Sequence, residues 1–319
     1  MAKANVSLGG KDILDIASLS VDEIELVMKT AAEMKKIMKR DIKKVPSLRG
    51  KAIVTLFYEN STRTRTSFEL AGKFLGADVV NINTSSSSVS KGECLRDTIL
   101  TLQSMNFDAI VMRHPMEGAA AYAAKISPAV VINAGDGAHA HPTQALLDLF
   151  TIREDGKTDL KGKKMCILGD ILYSRVARSN IAMWTKFGAD VHLAGPVTLM
   201  PHDIASLGVT VHNRVEEALE GADVVDVLRI QLERQKKGLF PTTREYARVF
   251  GLSDARLKLA KPDLTLLHPG PMNRGLEISW DVAYCESARI RDEVQNGVAV
   301  RMALEFLTLT GGKQIENID

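Results

Sequence analysis

The sequence predicts an α/β protein of two doubly wound parallel-sheet domains joined by helices, and three observations lead there. Short apolar runs alternate with stretches whose apolar residues recur at helical spacing, the pattern of βα units. The runs end again and again in polar residues, as strands do when ligands gather outside the carboxyl ends of a parallel sheet. A polar, glycine-containing interruption at 154–164 then splits the 319 residues into two such series, each long enough to bury its own core. The expected domains are 1–150 together with 290–319, and 151–289. The helix that closes the chain is expected to return to the first domain and make the connection two-stranded.

The first helix is announced by Ser20 and Glu23, a capping box, followed by Ile24, Val27, Ala31, Met34 and Met38 at helical spacing. A basic linker with Pro46 and Gly50 leads to a strand at 52–58. A helix carrying Phe68, Leu70, Ala71, Phe74 and Leu75 follows and stops at Gly76. Strands are expected at 77–82, 108–112 and 129–133. Between the first two lies a serine-rich loop, 83–93, with a helix restarting at Glu93; a flexible linker and a ligand-ordered loop are equally open readings of it. Pro142 suits the first turn of a helix through Leu146, Leu147, Leu149 and Phe150. The second series has strands at 165–168, 189–193, 209–212, 222–228 and 264–267. Helical patterns lie at 175–187, 214–219 and 243–250, and the closing helix runs over about 290–309.

The chemistry concentrates at strand ends. Between the first strand and its helix stand Ser61, Thr62, Arg63, Thr64, Arg65, Thr66 and Ser67. A helix N-terminus offers unpaired N–H groups and a positive dipole end, so hydroxyls and guanidiniums placed there cradle a polyanion such as phosphate. Simple N-capping by Ser61 or Thr62 accounts for one hydroxyl. It leaves unexplained three Thr and two Arg where β-branching disfavours helix and like charges repel. Later strands end in Arg113-His114-Pro115, in the segment from Asn133 to Gln144 with His139 and His141, in Arg229-Ile230-Gln231, and in His268-Pro269-Gly270-Pro271. The last has too much Pro and Gly for regular structure and leaves backbone groups to meet a ligand.

Composition narrows the classes. Lys plus Arg number 41 against 39 Asp plus Glu, a net charge of +2, so no broad basic field exists to hold nucleic acid. Cys94, Cys166 and Cys285 lie far apart and form no metal-ligand spacing. His139 and His141 have no acidic or cysteine partner at suitable spacing, and no metal is expected. The N-terminal residues lack a targeting pattern and no run approaches the length of a membrane span; a cytoplasmic enzyme without membrane association is expected.

With these segments assembled, the chain closely resembles the catalytic chains of the aspartate carbamoyltransferase family over essentially its whole length. Ser61-Thr62-Arg63-Thr64-Arg65, Val111-Met112-Arg113-His114-Pro115, Asn133-Ala134-Gly135-Asp136-Gly137 with His141-Pro142-Thr143-Gln144, Arg229-Ile230-Gln231 and His268-Pro269-Gly270-Pro271 stand in the family's order and spacing. The resemblance implies carbamoyl phosphate in the first domain, L-aspartate in the second, and formation of N-carbamoyl-L-aspartate and phosphate, a step of pyrimidine biosynthesis. It implies that Ser61, Thr62, Arg63 and Thr64 hold the phosphate with Arg113, and that Thr64, Arg113 and His141 share the carbonyl oxygen. Gln144 with the Gly270-Pro271 backbone would fix the carbamoyl NH2, and Arg175, Arg229 and Gln231 the aspartate carboxylates. No cofactor is implied.

The resemblance also implies a homotrimer with shared active sites, in which Ser87 and Lys91 of the serine-rich loop serve the adjacent chain. Ser85 to Ser90 hold near-equivalent candidates for that serine. The Gly-Pro-Met-Asn-Arg-Gly form of the 270–275 segment departs from the Leu-Pro form of the regulated enzymes and resembles the branch that associates with dihydroorotase. Dihydroorotase or a regulatory chain are thus the further partners left open. Ornithine carbamoyltransferases share the cradle but usually carry a Cys in the His268 segment and lack Arg-x-Gln, so Arg229 favours a diacid acceptor. An NAD-dependent dehydrogenase would explain two α/β halves. However, the turn after Leu168 reads Gly-Asp-Ile-Leu-Tyr-Ser, without the glycine spacing a pyrophosphate needs.

Overall fold

The computed structural model describes residues 6–83, 92–231 and 242–311. Helix α1 (Val21–Met38) opens with the capping box: the Ser20 hydroxyl accepts from the Glu23 N–H and the Glu23 carboxylate accepts from the Ser20 N–H at 2.7 Å. Its buried face is Ile24, Val27, Ala31, Met34 and Ile37. Ile37 takes the last place that the sequence spacing assigns to Met38.

The first sheet is built from β1 (Ala52–Phe57), β2 (Asp78–Asn83), β3 (Ala109–His114) and β4 (Val130–Asp136), in the order β2-β1-β3-β4 with every pair parallel. The helices between and after them are α2 (Thr62–Phe74), α3 (Leu95–Ser104), α4 (Ala119–Ile126) and α5 (Pro142–Glu154). Alternation along β1 sends Val54 and Leu56 into a core with Ile99, Leu102, Ala119, Ala120 and Ala123 of α3 and α4. Ile53 points to the opposite face, where α2 lies so near that a Cβ on Gly72 would stand 2.6 Å from Val79 Cγ2 and 3.3 Å from Ile53 Cδ1. Helices thus cover both faces, the doubly wound arrangement.

Two strands outrun the spans expected of them. β3 continues through Arg113 and His114 because the Tyr58 N–H donates to the Arg113 carbonyl at 2.9 Å and carries the ladder onward. β4 continues to Asp136 because its polar residues satisfy one another. The Asn133 amide donates to Leu14 O and Asp136 Oδ1, and Asp136 accepts from the Gly118 and Ala140 N–H groups. The sequence reading passes over α4, a short alanine-rich helix entered from Gly118 at φ 78° without a side-chain cap.

The second sheet contains β5 (Lys164–Leu168), β6 (Asp190–Ala194), β7 (Thr210–His212), β8 (Val224–Val227) and β9 (Thr265–Leu267), ordered β7-β6-β5-β8-β9 and parallel throughout. Around it run α6 (Arg175–Lys186), α7 (Val215–Leu219), α8 (Thr243–Phe250), α9 (Asp254–Leu257) and α10 (Trp280–Ala283). Cys166, Leu168, Val225 and Leu266 pack with Val215, Leu219, Leu257 and Val282 in one core. Gly195 must be glycine, since a Cβ there would meet the Gly169 carbonyl oxygen at 2.1 Å.

Helix α11 (Ile290–Thr310) closes the chain. Two compact units emerge, Met1–Leu147 with Gln295–Asp319, and Asp148–Val294. The division falls inside α5 and α11, so both crossings between the units are helical and most of α11 belongs to the first. Among the described residues no helix is long and apolar enough to cross a membrane.

Candidate active site

In the first sheet the chain winds outward from β1 to β2 and then crosses to β3 on the other side, which makes the β1/β3 boundary the topological switch point. Loops leaving two strands at such a boundary part from each other and open a crevice at their carboxyl ends. Arg113 sits there, opposite Phe57 in the β1/β3 register. Its guanidinium donates through Nε to Glu59 Oε2 at 3.1 Å and through Nη1 to Ser61 Oγ at 3.2 Å. Ser61 occupies the N-cap position of α2 but makes no side-chain cap, its hydroxyl oxygen being turned to Arg113 instead. A cavity of about 330 Å³ lies here, lined by Phe57, Glu59, Asn60, Ser61, Thr62 and Arg65. Thr62 and Arg63 are exposed and Thr64 is buried on the inner side of α2.

His141 and Gln144 are both buried at the start of α5, where the Gln144 N–H donates to the His141 carbonyl at 3.0 Å. The Thr143 hydroxyl lies 3.4 Å from His141 Nδ1 and accepts from Arg301 Nη2 at 3.3 Å. Arg301, reaching in from α11, also donates to Ser67 Oγ at 2.8 Å and lies over the Phe68 ring. One buried arginine therefore ties the cradle helix to Thr143 in the first turn of α5, two residues past His141.

In the second unit the switch point falls between β5 and β8. Arg175 begins α6 just beyond β5, behind the N-cap Ser174 whose hydroxyl accepts from the Ala177 N–H at 3.1 Å. Arg229 and Gln231 follow β8, both half-buried, and Gly270 and Pro271 follow β9 with a cis peptide bond between them. The Gly270 N–H donates to His268 Nδ1 at 2.8 Å, and the His268 N–H donates to Glu293 Oε2 at 2.9 Å. Beneath this loop the Asn180 amide bridges Asp148 and Asp226. Burial, reinforced by the Asp148 charge, pushes Asp226 up to about 7, and burial likewise raises Glu293 well above the usual carboxylate range.

The structure thus gathers Ser61, Thr62 and Arg113 at one crevice, with Thr64 buried in the first turn of α2, and sets His141 just before α5 and Gln144 in its first turn. Arg175, Arg229, Gln231, Gly270 and Pro271 stand at strand ends of the other sheet. Ser87 and Lys91 lie outside the described residues. Sequence reasoning gave no role to Glu59, Thr143 or Arg301, and read Ser67 as part of the cradle rather than as the partner of Arg301. Glu59 could have been noticed as the acid heading the cradle motif, and Thr143 stands within a quoted motif, but nothing local marks Arg301.

Residues 11–154 match the carbamoyl-P binding domain of aspartate/ornithine carbamoyltransferases and residues 161–308 match the family's Asp/Orn binding domain. The chain belongs to the aspartate/ornithine carbamoyltransferase family. Among its relatives, the aspartate carbamoyltransferase catalytic subunit of Desulforamulus reducens is 62% identical over 303 residues, covering 95% of this chain and 96% of the relative. That of Heliobacterium modesticaldum is 62% identical over 301 residues, covering 94% and 96%. Aspartate transcarbamoylase from Trypanosoma cruzi, solved with carbamoyl phosphate and aspartate, superposes with a TM-score of 0.85 at 33% identity over 95% of this chain and 98% of that one. Ornithine carbamoyltransferase from Pyrococcus furiosus gives 0.84 at 30% identity over 96% and 99%. Within the carbamoyltransferases the backbone is therefore common to both acceptor classes, and side chains must separate them.

Proposed function

We propose that this chain transfers the carbamoyl group of carbamoyl phosphate to the amine of L-aspartate, giving N-carbamoyl-L-aspartate and phosphate. The observation that carries the reading is Arg113 held against the Ser61 hydroxyl at the N-terminus of α2, a guanidinium aimed where a helix end already favours an anion. The 62% identity to aspartate carbamoyltransferase catalytic subunits supports aspartate as the acceptor.

In this reading Ser61, Thr62, Arg63 and Thr64 hold the phosphate oxygens, and Arg113 spans phosphate and carbonyl oxygen. The amine nitrogen attacks the carbonyl carbon, the bond from carbon to the phosphate oxygen breaks, and the phosphate leaves with the electron pair while the amine surrenders a proton. Thr64, Arg113 and His141, the last through a ring N–H, stabilise the oxygen as it gains charge. Gln144 and the backbone at Gly270 and Pro271 orient the carbamoyl NH2. Arg175, Arg229 and Gln231 bind the two carboxylates, for which a planar guanidinium fork is well shaped.

The same reading makes the enzyme a cytoplasmic homotrimer in pyrimidine synthesis, in which Ser87 and Lys91 act in the neighbouring subunit's site. Its scattered free cysteines fit a reducing compartment. Mixing an inactive Lys91→Ala chain with an inactive Arg113→Ala chain should restore activity, since some interfaces then pair two intact residues. Verified mixing without recovery rules out action in trans. The reaction itself is tested by incubating purified protein with carbamoyl phosphate: phosphate and carbamoyl product should appear in equal amounts and only when L-aspartate is present. Phosphate release that ignores aspartate would contradict it.

A further inference from the structure

Glu277 is almost wholly buried, yet both of its carboxylate oxygens are engaged. Oε1 accepts from the Asn273 backbone N–H at 2.5 Å and lies 3.2 Å from His268 Nε2, while Oε2 accepts from Asn273 Nδ2 at 3.1 Å. The His268 tautomer is fixed by its other nitrogen. Because Nδ1 accepts from the Gly270 N–H, the neutral imidazole carries its proton on Nε2 and donates it to Glu277. Glu277 is itself pinned by backbone contacts: the Leu252 N–H donates to its carbonyl at 2.9 Å, and the Gly275 N–H donates to Ile278 O at 2.8 Å. Gly275 adopts φ 83° in this turn, a conformation that suits glycine.

The second hydrogen of the Asn273 amide goes elsewhere, to the Ile230 carbonyl at 3.2 Å. Ile230 stands between Arg229 and Gln231, so the amide joins the loop after β9 to the segment that carries two of the proposed carboxylate-binding side chains. Consecutive Cα atoms are only about 3.8 Å apart, and a shift at Ile230 moves both neighbours. Misplacing a substrate-binding group by about 1 Å can cost on the order of 100-fold in rate.

We propose that Asn273 and Glu277 are positioning residues for the acceptor substrate, fixing the Arg229-Ile230-Gln231 segment to the 268–275 loop and thereby setting where the diacid carboxylates are held. This deepens the carbamoyl-transfer reading and rests on it. Asn273 supplies the bridge, and Glu277 supplies the buried anchor that aims the Asn273 amide and the His268 ring together.

The test compares wild type, Asn273→Ala and the isosteric Glu277→Gln in steady-state kinetics, with inorganic phosphate binding measured by calorimetry as a readout of the first unit. For Asn273→Ala the KM for aspartate should rise about 5- to 20-fold, the scale of one or two lost hydrogen bonds, with kcat changed less than about 3-fold and phosphate affinity unaltered. In Glu277→Gln one amide face can no longer accept, so both KM for aspartate and kcat should suffer while phosphate affinity again holds. An aspartate KM within about twofold of wild type in both variants, or a parallel loss of phosphate affinity, overturns the inference alone. Wild-type protein that does not use aspartate at all overturns the function reading and this inference with it.

Discussion

Arg113 shows how one residue becomes a site. Its position at the end of β3 comes from the sheet register, its orientation from Glu59, and its partner Ser61 from the N-cap of α2. Replacing it with alanine should lower kcat about 100- to 1000-fold, the usual cost of losing a donor to a developing oxyanion. Arg113→Lys should recover only part of that, because an ammonium cannot serve Glu59 and Ser61 through a planar fork. Asp226 makes a different prediction. Its folded pKa is raised to about 7, against about 3.9 for an unfolded aspartate. Between those values the folded state holds a proton that the unfolded state has lost, so wild-type stability falls as pH rises through this window. Asp226→Asn keeps an oxygen to accept from Asn180 and has no charge to bury. Its thermal midpoint should match wild type near pH 4 and exceed it at pH 8, by a stability gain of about 1 to 4 kcal/mol; equal midpoints at both would show that Asp226 does not carry this proton.

At the scale of elements, the contact of α2 with the sheet is decided by Gly72, whose missing Cβ leaves room for Val79 Cγ2. Gly72→Ala gains helix propensity but overpacks a close contact, and should destabilise by about 1 to 3 kcal/mol. Val79→Ala in the same chain opens the space, so the double variant should be more stable than the sum of the single changes, by denaturant unfolding. Simple additivity would mean that α2 shifts freely on the sheet. The elements themselves were largely legible in the sequence, because apolar strands and the Ser20 capping box are local signals. The ends of β3 and β4 were not. Asn133 and Asp136 look like ligand residues in one dimension, whereas their hydrogen bonds to Leu14, Gly118 and Ala140 form only after distant segments meet. Arg301 was hidden for the same reason, standing far along the chain from Ser67 and Thr143, both of which it holds.

For the whole molecule, two sheets of the same winding each place arginines at strand ends beside a switch point, and the division of the chain crosses α5 and α11. The cradle and the strand-end arginines could be picked out as candidates because binding phosphate or carboxylate needs particular side chains at particular turns. The Asn273 bridge was not, since an Asn in a Pro/Gly-rich loop has many ordinary uses. Solved carbamoyltransferases of both acceptor classes share this backbone, so side chains decide the choice of acceptor. The measurement that bears on it most directly is kcat/KM of the purified protein for L-aspartate and for L-ornithine at saturating carbamoyl phosphate. Aspartate should be preferred by at least about 1000-fold, since a diamine acid would leave carboxylate-binding arginines without a partner. Comparable or better turnover of ornithine would contradict the roles given to Arg229 and Gln231.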